Sequence, residues 1–202
     1  MEDRRTQILE AGLALLREEG LSALTQPRIA ARTGLRQSHL TYYYPTRSDL
    51  LSAVARSAVE AQATAAKALV ARIRAVGDAS KVMARGAARH ENTRVLVALN
   101  QAAEREQDVR TLFNELSDTF VAEIAALFEK LGLQATSANF DLLHALFIGL
   151  SVLDLATCRA DQPARSKAVL DLAFKMFASG RPSEAPIPPR KPRNAKKSGV
   201  KK

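Results

Sequence analysis

Apolar residues recur at the three- and four-residue spacing of an amphipathic helix along nearly all of the chain up to residue 180. Gly and Pro, which interrupt helices, lie mainly between these periodic segments. Only 5% of the 202 residues are aromatic, and Trp is absent. Because strands favour β-branched and aromatic residues, whereas Ala and Leu favour helices, the sequence predicts an all-α protein of about nine helices.

The first three predicted helices are short and closely spaced. The first ends at Gly20, and Thr25 is placed as the N-cap of the second. The third runs over about residues 36–43 and ends before Pro45. These three helices form a predicted N-terminal head.

A capping-box spacing marks the start of a much longer helix. Thr46 and Asp49 are three residues apart, and the helix is expected over residues 48–76, with Gly77-Asp78 as its end. Five more helices are expected over residues 79–90, 93–106, 109–131, 137–158 and 164–179. This pattern predicts a helical body behind the head.

Residues 25–47 contain four Arg and no acidic residue. Two short helices joined by Thr33-Gly34-Leu35 form a helix-turn-helix arrangement, in which Gly34 permits a left-handed turn. If Leu40 faces the core, hydrogen-bonding side chains occupy the opposite face of the third helix. The predicted DNA-contacting residues are Thr25, Gln26, Arg28, Arg36, Gln37, Ser38, His39, Thr41, Tyr42, Tyr43, Thr46 and Arg47.

Each of these side chains has an expected chemistry on DNA. Gln37 suits adenine and Arg36 suits guanine at a major-groove edge. Tyr42, Tyr43, Thr46 and Arg47 suit phosphates, which the start of the long helix would also favour. The alternative is three ordinary packed helices with exposed Arg, or contacts to phosphate and water alone. Tyr44 is expected in the core.

Within this stretch the sequence resembles the DNA-binding head of TetR-family transcriptional regulators. The shared residues include Arg5-Thr-Gln-Ile-Leu-Glu-Ala, Glu19-Gly20, Thr33-Gly34-Leu35, Tyr42-Tyr43-Tyr44 and Pro45-Thr-Arg-Ser-Asp-Leu-Leu51. The resemblance implies an all-α homodimer, with a body that binds a ligand and dimerises through its last two helices.

The resemblance also implies roles for single residues. Gln37 and Ser38 occupy base-reading positions, and Arg47 takes the place of a phosphate-contacting Lys. Two residues depart from the family pattern: Arg36 stands where Ser is usual, and Thr41 replaces the first Tyr of the aromatic run. These departures leave the fold expectation unchanged and make the operator sequence unpredictable.

The net charge of +9 is concentrated at the C-terminus, because residues 181–202 carry eight basic residues and one acidic residue. This Pro-rich segment is expected to be a disordered tail, either solubilising or acting as an extra phosphate-binding arm. The predicted domains are therefore a helix-turn-helix head (1–47), a ligand-binding and dimerisation body (48–180) and a basic tail (181–202).

Polar residues within the apolar body suggest a ligand pocket. Asp141, His144 and Asp154 lie on the most apolar predicted helix, where buried polar groups need partners. The candidate pocket residues are Asn100, Gln101, Asp141, His144, Phe147 and Asp154. Alternatively, His144 is simply a satisfied core residue. The apolar region 137–179 is expected to form the dimer interface, with a purely internal core as the alternative.

No pattern predicts catalysis or a metal site. His90, His144 and Cys158 are not spaced as ligands, and no Gly-rich phosphate loop is present. A secretory signal and a membrane span are not expected, and no cofactor is predicted. We therefore expect a cytoplasmic, non-enzymatic homodimer that binds a palindromic double-stranded DNA operator and is released as a repressor by a small molecule. The alternatives are an architectural DNA binder that uses the tail and an all-α enzyme.

Overall fold

The computed structural model describes residues 3–179, and within them it contains nine α-helices and no strand. The helices are α1 (Arg4–Glu19), α2 (Gln26–Thr33), α3 (Gln37–Tyr43), α4 (Arg47–Ala71), α5 (Val76–Ala87), α6 (His90–Ala103), α7 (Gln107–Leu131), α8 (Ser137–Thr157) and α9 (Gln162–Ala178). A short 3₁₀ turn (Leu21–Ala23) connects α1 to α2. The all-α prediction is confirmed, and the predicted tail, residues 181–202, lies outside the described residues.

The predicted end of the long helix is wrong, and the two helices after it begin and end three residues earlier than expected. The long helix α4 ends at Ala71, and Gly77 and Asp78 lie inside the first turn of α5. Between the two helices Ile73 is fully buried, and its carbonyl accepts a 2.6 Å hydrogen bond from Lys130 Nζ. The burial of Ile73 and this tertiary hydrogen bond hold the chain in place just after α4 ends. Asp78 suits a helix start, since a carboxylate there faces the positive end of the helix dipole.

Two apolar cores hold the helices together. The first joins the head to α4, α6 and α7 and includes Ile8, Leu40 and Leu99. The second joins α5, α7, α8 and α9 around Phe128. The head therefore shares a core with the body, and its orientation depends on α4, α6 and α7.

The last two helices expose an apolar face. Among the described residues, the large exposed apolar side chains of α8 and α9 are Leu142, Val152, Leu153, Val169, Leu172 and Met176. α8 is long and apolar enough to cross a membrane, by length and composition only. Only 22% of its most apolar 18-residue stretch is buried within the described residues. This face has no partner among residues 3–179.

Candidate nucleic-acid interface and ligand cavity

The turn between α2 and α3 is fixed by Gly34 and Thr33. Gly34 has φ 69° and ψ 8°, a left-handed conformation that glycine adopts without strain. The Thr33 hydroxyl donates to the Ile29 carbonyl over 2.8 Å and accepts from the Leu35 amide over 3.3 Å. Gln7 Nε2 of α1 donates to the Thr33 carbonyl over 3.3 Å. These contacts hold the turn between α2 and α3 that the sequence predicted.

α3 presents one polar face to solvent. Leu40 is fully buried beneath the helix, whereas Gln37, Ser38, Thr41 and Tyr42 are exposed. Tyr42 is 80% exposed, and its ring packs edge-on against the Tyr43 ring with the two ring centroids 5.2 Å apart. An exposed aromatic residue beside hydrogen-bonding side chains is the surface that a major-groove helix offers to DNA. The orientation agrees with the sequence prediction.

Several side chains that were predicted to contact DNA are partly buried or bonded within the protein. Gln26 Nε2 donates to the Tyr44 carbonyl over 3.2 Å and ties α2 to the end of α3. Tyr44 itself is buried, and this burial raises the pKa of its phenol. Thr25 and His39 are half-buried, and His39 Nδ1 has no hydrogen-bond partner among the described residues. Tyr44 is thus a core residue, as expected.

Two of the four arginines are paired with acids that the segment 25–47 does not contain. Arg28 Nη2 lies 2.5 Å from Glu19 Oε1, and Arg32 Nη2 lies 2.6 Å from Glu18 Oε1. The hydrogen bond from Arg32 lowers the pKa of Glu18. Sequence reasoning missed these pairs because both acids belong to the end of α1. The remaining two, Arg36 and Arg47, are exposed and make no ion pair with any described residue.

The start of α4 is capped by its own side chains. Thr46 Oγ1 accepts from the Asp49 amide over 3.0 Å, and Asp49 Oδ2 accepts from the Thr46 amide over 3.0 Å. This confirms the predicted capping box and commits the Thr46 hydroxyl, which also donates to Asp49. Ser48 donates to Glu106 Oε2 over 2.8 Å and links this end of α4 to the loop before α7. Arg47 remains directed to solvent beside the cap.

A cavity of about 160 Å³ lies in the body between α4, α5, α6, α7 and α8. Of the predicted pocket residues, His144 and Phe147 line it. Asn100, Gln101 and Asp141 do not line it, because each is exposed on the outer side of its helix. Asp154 is buried outside the cavity lining, where its Oδ2 lies 2.9 Å from His90 Nε2. The helical pattern identified the apolar faces without showing which of them surround the cavity.

Further cavity residues come from helices that the sequence prediction did not consider. Gln62 of α4 donates to the Asn92 carbonyl over 2.9 Å, and Phe120 and Glu123 contribute from α7. The Phe120 ring lies 5.5 Å from the His144 ring, and burial lowers the pKa of His144. Little in the sequence indicates that Gln62, Phe120 and Glu123 line a cavity, because each occupies an ordinary position of an amphipathic helix.

The described residues contain no group of three or more His, Cys, Asp or Glu side chains that would hold a metal ion. The lone Cys158 is exposed at the end of α8.

These features define a helix-turn-helix DNA-binding protein with a helical body. Residues 8–54 match the bacterial regulatory proteins of the tetR family. The match spans the helix-turn-helix head and the start of α4, so this part of the chain is similar to the DNA-binding domain of those transcriptional regulators. A comparison with curated proteins finds no match to the sequence.

Solved structures with the same fold cover the body as well. A transcriptional regulator from Rhodococcus sp. Rha1 is 17% identical, with a TM-score of 0.72 over 88% of this chain and 97% of that one. A transcriptional regulator from Saccharomonospora viridis in complex with choline is 18% identical, with a TM-score of 0.72 over 85% and 95% of the two chains. The multidrug binding protein EbrR, complexed with proflavin, is 23% identical, with a TM-score of 0.62 over 85% and 99%.

Proposed function

We propose that the protein is a cytoplasmic homodimeric repressor that binds a palindromic DNA operator and leaves it when a small molecule enters the body. The observation that carries this proposal is the exposed polar face of α3, displayed by the turn at Gly34. Gln37 and Ser38 would reach base edges, while Tyr42, Tyr43 and Arg47 would hold phosphates. Thr46 is a weaker candidate, since its hydroxyl is committed to the capping box.

The exposed apolar face of α8 and α9 supports dimerisation. Leu153 and Leu172 are 54% and 62% exposed in the single chain. Large exposed apolar side chains on two helices that contact each other are typical of a protein interface. A Cβ added at Gly149, midway along α8, would meet no atom of another element within 4 Å, so a second helix has room to approach closely. A two-fold pair would place two α3 helices on one side of the dimer, matching two operator half-sites.

The path of α4 from the head into the body supports coupling between ligand binding in the body and DNA binding by the head. The head (1–47) would read DNA and the body (48–180) would bind the ligand and the second copy. α4 begins at Arg47 beside the DNA-binding face, and its second half lines the cavity at Gln62 and Leu69. The helix spans about 37 Å at 1.5 Å per residue. A ligand that favours another tilt of α4 would change the spacing of the two α3 helices.

Contacts of α6 offer a second connection. Arg94 Nη1 donates to the Arg17 carbonyl at the end of α1 over 3.2 Å. The neighbouring residue Thr93 lines the cavity. The complexes of similar folds with choline and proflavin support a body that accepts small molecules. A repressor released by its ligand is the simplest use of such a body.

Selection of DNA from a random-sequence pool tests the proposal. The full chain should enrich a palindrome, and analytical ultracentrifugation should show two protein chains per enriched duplex. A small-molecule screen against the complex should then yield compounds that release the DNA. Enrichment of no sequence, with binding that depends only on residues 181–202, would instead favour an architectural DNA binder.

A further inference from the structure

The cavity has the size of a small aromatic ligand. Its volume of about 160 Å³ resembles that of an apolar cavity of about 150 Å³ that binds benzene. Phe120 of α7 and Phe147 of α8 place two aromatic rings in its wall, and about half of the remaining lining residues are apolar. Shape and apolarity alone would therefore suit a benzene-sized molecule.

Glu123 gives this wall a negative charge. It supplies the one carboxylate among the residues that line the cavity, one turn after Phe120 on α7. The residue is half-buried, and its carboxylate makes no ion pair with any residue in the range 3–179. A carboxylate that is partly withdrawn from water without a partner is unfavourable, and a cation beside it would relieve that cost.

The other ionisable groups leave this charge uncompensated inside the cavity. His144 stays neutral near pH 7, because burial lowers its pKa, and the acid near it is the exposed Asp141. Arg72 and Arg89 also belong to the lining, but both are exposed, one just after α4 and the other just before α6. Glu123 is less exposed than either arginine, so it carries the least solvated formal charge in the lining.

We propose that the ligand of this cavity is a small aromatic or alkyl ammonium cation, whose charge pairs with Glu123 and whose apolar part lies between Phe120 and Phe147. A cation close to the face of an aromatic ring gains further stabilisation from the ring quadrupole. This inference rests on the proposed function, since it names the chemical class of the effector.

Three benzene derivatives of similar size and different charge test the proposal. Isothermal titration calorimetry at pH 7 on the full chain would compare benzylammonium, benzyl alcohol and benzoate. We expect benzylammonium to bind about tenfold more tightly than benzyl alcohol, and Glu123→Gln to remove that difference. Glu115→Gln is the matched control, because Glu115 lies on the same helix, is exposed and does not line the cavity. It should leave all three affinities unchanged.

Three results would overturn the proposal: tighter binding of benzoate, equal binding of the cation and the alcohol, or no saturable binding of benzylammonium. Operator binding, measured in parallel by fluorescence anisotropy, separates this inference from the proposed function. If benzoate binds and releases the DNA, the ligand class is wrong and the ligand-released repressor stands. If benzylammonium binds through Glu123 without releasing DNA, the ligand class stands and release by this ligand is wrong.

Discussion

Glu19, the last residue of α1, accepts a 2.5 Å hydrogen bond from Arg28 of α2. Both side chains are close to half exposed, at 43% and 46%. An exposed pair of this kind contributes little to stability, so Arg28 can exchange the carboxylate for a DNA phosphate. We therefore expect Glu19 to compete with DNA for Arg28, one of the predicted DNA-contacting residues.

Glu19→Gln should consequently strengthen DNA binding by about threefold. It should also steepen the dependence of affinity on salt, since one more arginine is available to phosphate. Glu10→Gln is the control, because Glu10 is exposed on the same helix, makes no ion pair among the described residues and removes the same charge. Fluorescence anisotropy over a series of salt concentrations measures both the DNA affinity and its dependence on salt. Equal changes in the two variants would mean that only net charge matters.

The close approach of α1 and α4 predicts a sharp difference between two glycines. A Cβ at Gly12 would lie 2.6 Å from Cγ2 of Val54, a fully buried side chain. Gly12→Ala should therefore lower the free energy of unfolding by about 2 kcal/mol. Gly77→Ala meets open space in the first turn of α5 and should be neutral or stabilising. Urea denaturation distinguishes the two, and a neutral Gly12→Ala would contradict the packing described.

The apolar face of α9 predicts how the proposed dimer can be broken. Leu172→Glu places a charge on the exposed face and should convert the dimer to a monomer without loss of helical content. Asn100→Glu adds the same charge at an exposed position of α6 and should leave the dimer intact. Light scattering coupled to gel filtration reports the mass. A wild-type chain that is monomeric at all concentrations would refute this assignment of the interface.

His144 predicts a loss of stability in mild acid. Burial lowers its pKa in the folded protein, so between that value and the roughly 6.5 of an unfolded histidine only the unfolded chain binds the proton. The stability that the protein gains from keeping His144 neutral is therefore fully present above about pH 6.5. It is lost as the pH falls from about 6.5 towards the lower pKa of the folded protein. The urea midpoint should fall less between pH 7.5 and 5.5 in His144→Gln than in the wild type. Identical pH dependence in both proteins would show that His144 does not contribute.

The head was predictable from sequence because its signals are local. The left-handed Gly34, the capping box of Thr46 with Asp49 and the burial of Leu40 each depend on residues within one or two turns. A short-range pattern of this kind fixes which face of α3 is exposed. The contacts that α3 makes with DNA remain predictions.

The cavity was only partly predictable because it depends on tertiary contacts. His144 and Phe147 were identified, yet Glu123 comes from a different helix and shows no signal in its own periodicity. The early end of α4 depends in the same way on Lys130, which is 57 residues away from Ile73 in sequence. The ion pair of Arg28 with Glu19 was likewise invisible to a count of charges within residues 25–47.

Sequence discrimination by α3 is the most direct test of the central claim. Gln37→Ala, Ser38→Ala and Thr41→Ala combined in one chain would be compared with the wild type on the selected operator and on each of its single base-pair variants. We predict that the wild type loses about 1–3 kcal/mol of binding free energy at the contacted base pairs of each half-site, and that the triple variant loses this discrimination while retaining salt-dependent binding. A triple variant that discriminates among these sequences as well as the wild type does would contradict the claim that α3 reads the DNA.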